Sequence, residues 1–205
     1  MRWIDGCGWM AIVAGLLLVG CTGIPMRSEA PSGGALSTGE RAVAEQTYRK
    51  ALEQIRRGRQ VDGEKALIGM THHWPAFSGP FANLGLIYLR RGDVAKAAPM
   101  LEKAVVLTPG NGAAWNALGL VRRQKGDFKG AEQAYRRAIA AAPEDPDGHR
   151  NLGILYDLYL DRPKAALTAY RACQRLMGGQ DKEMARWIAV TERRVSTQVA
   201  GRERR

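Results

Sequence analysis

The pentamer WNALG occupies residues 115–119. FANLG stands before it at 81–85 and HRNLG after it at 149–153, so the three copies are evenly spaced. Two demands can fix such a spacing. The copies share a packing job, or they line up one kind of contact group for a partner, and each demand makes different letters matter.

Working outward from the pentamers, the first copy runs 78–111, with Phe81, Leu84, Gly85, Tyr88, Ala97, Leu101, Ala104 and Pro109. The second runs 112–145, with Trp115, Leu118, Gly119, Ala131, Tyr135, Ala138 and Pro143. Gly85, Gly119 and Gly153 fall in the middle of predicted helices, where glycine costs about 1 kcal/mol relative to alanine. That cost is tolerable where a second helix comes too close for a side chain. Gly92-Asp93 and Gly126-Asp127 read as the turn between two helices: the glycine ends the first, and the aspartate caps the second. Pro109 and Pro143 stop that second helix.

This set of offsets resembles the tetratricopeptide repeat, a helix-turn-helix unit whose period matches the interval between the pentamers. The resemblance implies an all-α solenoid, a right-handed superhelix with helix A of each repeat on its concave face. It covers residues 44–195 and is densest over 78–145. The third copy, 146–180, departs from the pattern. It carries His149 at the aromatic position, Leu160 where the turn glycine belongs, and one extra residue, which moves Ala166, Tyr170 and Cys173 onto the expected offsets. Cys173 then replaces a small packing alanine as a buried, inert thiol. Pro99 inside helix B predicts a kink.

Residues 39–77 read as a degenerate N-terminal repeat. Ala51, Leu67 and Pro75 keep their offsets, and Tyr48, Leu52 and Ile55 form the apolar side of a helix beside Arg41, Arg49 and Lys50. A second helix is expected over 61–70. At the other end, 181–199 is expected to be a capping helix: Asp181 caps a stripe of Met184, Trp187, Ile188, Thr191 and Val195. Residues 200–205 form a basic tail expected to fray.

The front of the chain carries an address. Arg2 precedes an apolar run from Trp9 to Val19, which is too short to span a bilayer and of signal-peptide length. The run ends in Leu18-Val19-Gly20-Cys21, which resembles the lipobox of bacterial lipoproteins. The resemblance implies a signal peptide over 1–20, lipidation of Cys21 and anchoring in the cell envelope. Each buried methylene of the lipid would add about 0.8 kcal/mol. Thr22 follows the cysteine, and the sorting rule of enteric lipoproteins reserves inner-membrane retention for aspartate there, so the outer membrane is expected. Residues 21–38, rich in Gly, Ser, Pro and Thr, read as a tether that holds the domain roughly 20–25 Å from the lipid.

With Cys7 removed and Cys21 lipidated, Cys173 is the one remaining thiol and no internal disulfide is expected. The net charge of +11 suits an acidic partner or a solvated basic surface. The paired arginines, Arg56-Arg57, Arg122-Arg123, Arg136-Arg137 and Arg193-Arg194, lack aromatics spaced for stacking bases, so nucleic acid is not expected. Anionic lipid or peptidoglycan are the acidic envelope partners. His72-His73-Trp74 has no third ligand nearby and reads as a surface loop with Trp74 under the next repeat. No nucleophile–base pair, phosphate loop or paired carboxylate appears. Neither a cofactor nor catalysis is expected.

Carrying the family's concave offsets over gives Asn83, Leu86 and Arg90 from the first strong repeat. They give Asn116, Leu120 and Arg123 from the second, and Arg150, Asn151 and Ile154 from the third. The asparagines are similar to the amide ladder with which some tetratricopeptide proteins hold a peptide backbone. Their alternative role is to satisfy local backbone groups. The apolar residues suit side chains, and the arginines suit acidic groups. Ala82 stands where the carboxylate clamp of chaperone cofactors has its first lysine, so terminal-carboxylate recognition is not expected. Two functions follow from the resemblance. One is a non-enzymatic scaffold binding a partner segment in assembly of an envelope machine of pilus or secretion type. The other is a periplasmic adaptor for cell-wall enzymes.

Overall fold

The glycine spacing has a direct steric cause. In a computed structural model that describes residues 36–203, a Cβ on Gly85 would lie 2.5 Å from Leu101 Cγ. On Gly119 it would lie 2.4 Å from Tyr135 Cε1, and on Gly153 2.5 Å from Tyr170 Cδ1. Each glycine therefore lets the second helix of its own repeat seat one large side chain against the backbone of the first. Leu101, Tyr135 and Tyr170 are fully or almost fully buried there. The expected signal peptide, the expected lipidation site Cys21 and most of the expected tether fall outside the described residues.

Successive helices run as antiparallel pairs. They are α1 (Thr38–Arg56) with α2 (Gln60–His73), α3 (Ser78–Arg90) with α4 (Val94–Leu107), and α5 (Gly112–Gln124) with α6 (Phe128–Ala141). Then α7 (Pro146–Ile154), extended by a π-turn over Leu155–Tyr159, pairs with α8 (Pro163–Leu176), and α9 (Lys182–Glu203) closes the row. The first helices of neighbouring repeats also touch, α3 against α5 and α5 against α7. No strand occurs among the described residues.

Capping follows the letters. Asp93 accepts from the Lys96 N–H, and Asp127 from the Gly130 N–H, after glycines with φ of 75° and 79°. Asn111 does the same for α5 and Asp145 for α7. Pro99 lies inside a helix that stays continuous from Val94 to Leu107. The degenerate first repeat keeps the close approach with its small residues exchanged. Ala51 sits at the offset of Gly85, and Gly63 sits opposite, where a Cβ would meet the Ala51 carbonyl at 2.8 Å. Its first helix starts inside the predicted tether, because Ser37 and Glu40 form a reciprocal capping box.

The third repeat accommodates its extra residue by widening one turn. Leu160 N–H donates to Leu155 C=O at 3.1 Å, an i to i−5 bond, so the widened turn takes up one extra residue. The left-handed turn position accordingly moves past Leu160 to Asp161, whose φ is 46°. This corrects the expectation that Leu160 stands in the glycine's place. Cys173 is buried in the core, with its Sγ 3.6 Å from Met177 Sδ, and burial pushes its thiol pKa up.

At the C-terminal end, Asp181 accepts from the backbone of Glu183 and Met184. Met184, Ile188 and Thr191 cover the face of α8 that another repeat would cover, so α9 acts as the cap. It runs past the expected end at 199 as far as Glu203. Trp74 terminates α2, half-buried and edge-on to His73, and both histidines remain exposed.

Candidate functional site

The first helices of the repeats place Asn83, Leu86 and Arg90 on α3, Asn116, Leu120 and Arg123 on α5, and Arg150, Asn151 and Ile154 on α7. Leu86, Leu120 and Ile154 are half-buried, each packed at the margin of the core. They form a low apolar strip rather than free-standing anchors.

The asparagines behave differently from a ladder of idle amides. Asn83 Nδ2 donates to the Tyr48 hydroxyl and to Gly79 C=O, the latter at 3.2 Å. Asn151 Nδ2 donates to Asn116 Oδ1 at 3.0 Å. The bonds to Tyr48 and Asn116 cross between neighbouring repeats, so the amides stitch adjacent first helices together. They do not all stand free toward the groove. Burial pushes the Tyr48 hydroxyl pKa up. Among the described residues, Asn83 Oδ1, Asn151 Oδ1 and Asn116 Nδ2 make no hydrogen bond and remain able to meet a partner.

The arginines divide. Arg150 pairs with Asp147 at 2.6 Å and reaches Met177 Sδ at 3.2 Å. Arg123 lies over the Tyr159 ring, 5.4 Å from its centroid. Asp157, in the π-turn that extends α7, is held by Arg194. Charge along the α5–α7 part of the row is thus internally answered. Arg90 has no ion pair among the described residues and lies exposed at the end of α3.

Arg90 leads to a site that lies further toward the N-terminus. A cavity of about 350 Å³ is lined by Leu52, Ile55 and Ile87, with Asn83 in its wall and Arg49, Arg56 and Arg90 at its rim. A smaller cavity of about 120 Å³ shares Ile55, Ile87 and Arg90. Neither lining contains a carboxylate. Arg49 also lacks an ion pair among the described residues, whereas Arg56 shares Glu53 with Arg57. Sequence reasoning missed Arg49, Leu52 and Arg56 as groove residues, although a signal for them existed. They stand one full period before Asn83, Leu86 and Arg90, at the same offsets within the degenerate repeat. Ile55 and Ile87 are separated by slightly less than one period.

Among the described residues no His, Cys, Asp and Glu cluster fit to hold a metal ion occurs. No helix there is long and apolar enough to cross a membrane.

Residues 83–146 match the family model of the tetratricopeptide repeat. A TPR repeat-containing protein of Pseudomonas aeruginosa is 39% identical over 64 residues, 31% of this chain and 61% of that protein. The heat-shock protein cognate co-chaperone sgt12 of Aspergillus fumigatus is 31% identical over 105 residues, 51% of this chain. The chain spans only 27% of that co-chaperone's length. MamA from Desulfovibrio magneticus superposes with a TM-score of 0.64 at 20% identity, covering 78% of this chain and 89% of that one. Fold and repeat signature together define the class: the described residues form a tetratricopeptide-type solenoid, closed by a capping helix.

Proposed function

We propose that this protein is a non-enzymatic scaffold whose row of first helices binds an extended segment of a partner protein. The observation that carries the reading is the cavity between α1 and α3, an apolar floor of Leu52, Ile55 and Ile87 under a rim of arginines. Apolar anchors set in a concave surface with a few polar groups are what segment recognition requires. The strip of Leu86, Leu120 and Ile154 extends that floor along the row.

The Leu18–Cys21 motif and the Gly/Ser/Pro-rich stretch after it support placing the scaffold in a bacterial envelope, lipid-anchored through Cys21 and facing the periplasm from the outer membrane. Assembly of an envelope machine of pilus or secretion type is the setting that suits a tethered binding module. Two experiments test the two halves. A fatty-acid probe should label the wild type and not Cys21→Ala; equal labelling sinks the anchor. Full-length protein cross-linked in cells and isolated in detergent should recover discrete partners, which Leu52→Asp with Ile87→Asp should lose. Recovery of the same partners by that variant removes the groove from the account.

A further inference from the structure

We infer that the α1–α3 cavity selects an internal acidic segment of its partner, seating one aliphatic or aromatic side chain between flanking carboxylates. This rests on the groove reading above and specifies the chemistry of its occupant.

Three features on one site point to that occupant. The floor is apolar and small: at about 350 Å³ it lies at the low end of ligand pockets, the size for one or two side chains. A bare anion would leave Leu52, Ile55 and Ile87 wet, so the ligand must bring an apolar group. The rim supplies Arg49 and Arg90 without ion-pair partners among the described residues, and Arg56 with a half-share in Glu53. No acidic residue lines the cavity to answer them. That concentration of charge is local, since the arginines toward α7 already face Asp147 and Tyr159. A guanidinium gains most from a carboxylate that it can bond with two parallel N–H groups.

The third feature separates a peptide from an acyl chain with an anionic headgroup. Asn83 sits in the wall with its Nδ2 donating to Tyr48 and Gly79. The amide is thereby oriented, and its Oδ1 accepts from no other group among the described residues. An oriented acceptor beside an apolar pocket suits a backbone N–H, which a peptide offers and a hydrocarbon tail does not. A second copy of this chain is disfavoured by its own charge of +11.

The test uses the full chain in detergent micelles and short fluorescein-labelled peptides with both ends blocked, so that only side-chain carboxylates are present. One peptide carries leucine flanked by glutamates. Its twins replace the glutamates by lysine, the glutamates by glutamine, or the leucine by serine. Anisotropy should show binding by the glutamate–leucine peptide alone, weakened by salt and weakened at least ~10-fold by Arg49→Ala with Arg90→Ala. Neither arginine belongs to the core, so this variant keeps its fold, which circular dichroism checks. Equal binding by the lysine or glutamine twin, no binding by any peptide, or no loss in the double-arginine variant overturns the acidic preference. The groove reading is judged apart from it. Binding of the glutamine twin that is lost in Leu52→Asp leaves a groove without charge selection.

Discussion

Asn151 on α7 donates its side-chain amide to Asn116 Oδ1 on α5 at 3.0 Å, across the seam between the second and third repeats. Asn83 on α3 makes the corresponding bridge to Tyr48 on α1. These bonds give the asparagines beside the repeated glycines a structural task. They hold neighbouring first helices in register and leave one polar atom of each amide for a partner.

The pairing predicts coupled energetics. Asn116→Ala and Asn151→Ala should each destabilise by about 0.5–1.5 kcal/mol. The double variant should cost less than their sum, by about 0.5 kcal/mol or more. Denaturant unfolding of the four proteins measures this. Strict additivity would show that the two amides do not depend on each other.

Glycines in this chain differ in what surrounds them. Gly119→Ala drives a Cβ to 2.4 Å from the Tyr135 ring, which is buried and has no room to withdraw. A loss of about 1–3 kcal/mol is expected. Gly69 lies in exposed helix with nothing within 4 Å of a Cβ. Gly69→Ala should therefore stabilise by about 0.5–1 kcal/mol. Thermal unfolding distinguishes the two, and a stabilising Gly119→Ala would contradict the close helix approach.

Arg194 adds an ionic tie to the apolar packing by which α9 caps the row. Arg194 reaches both Asp157, whose side chain is 12% exposed, and Asp161 at 3.0 Å. Tyr170 also donates to Asp157. Arg194→Ala strips this carboxylate of its ionic partner, at a cost of about 1–3 kcal/mol. The exposed Arg171–Glu192 pair contributes under about 1 kcal/mol. Hydrogen exchange in Lys182–Glu203 should accelerate for Arg194→Ala and stay near wild type for Glu192→Ala. Equal acceleration in both would deny Arg194 its special role.

Much of the fold was legible in the sequence. The glycine of each pentamer, the Gly-Asp turns and the terminal prolines each have one local physical cause, and local causes leave letters. The π-turn was half legible. The extra residue of the third repeat could be counted, but whether Leu160 or Asp161 would turn left-handed depended on how α7 widened. The site was less readable, because occupancy of a charge is a matter of distance in space. Nothing in the letters says that Arg150 meets Asp147 or that Arg123 lies over Tyr159, while Arg90 has no ion pair among the described residues. Arg49 and Leu52 could have been found, but the faintness of their repeat concealed the shared offset.

Tyr135 predicts a pH response. Its hydroxyl is buried and finds no partner among the described residues, and burial pushes its pKa up from 10.0 to about 12. Below pH 10 the folded and unfolded chains both keep the proton, so this residue leaves stability flat. Between there and about 12 only the unfolded chain releases it, and stability falls by roughly 3 kcal/mol. Tyr135→Phe should remove that part of the alkaline loss. At neutral pH it should be neutral, or stabilising by up to about 1 kcal/mol, because it deletes an unsatisfied hydroxyl. Urea unfolding across the alkaline range checks both.

The central claim is that partners bind along the first helices, and a photo-cross-linking amino acid tests it in cells. Placed at Leu86 or Leu120, the probe lies on the half-buried strip; placed at Val106, it lies on a side chain that is 73% exposed in α4. A discrete adduct from the strip positions and none from Val106 is the predicted result. Adducts of equal yield from Val106, or from that position alone, would put the interaction surface on the second helices and contradict the account.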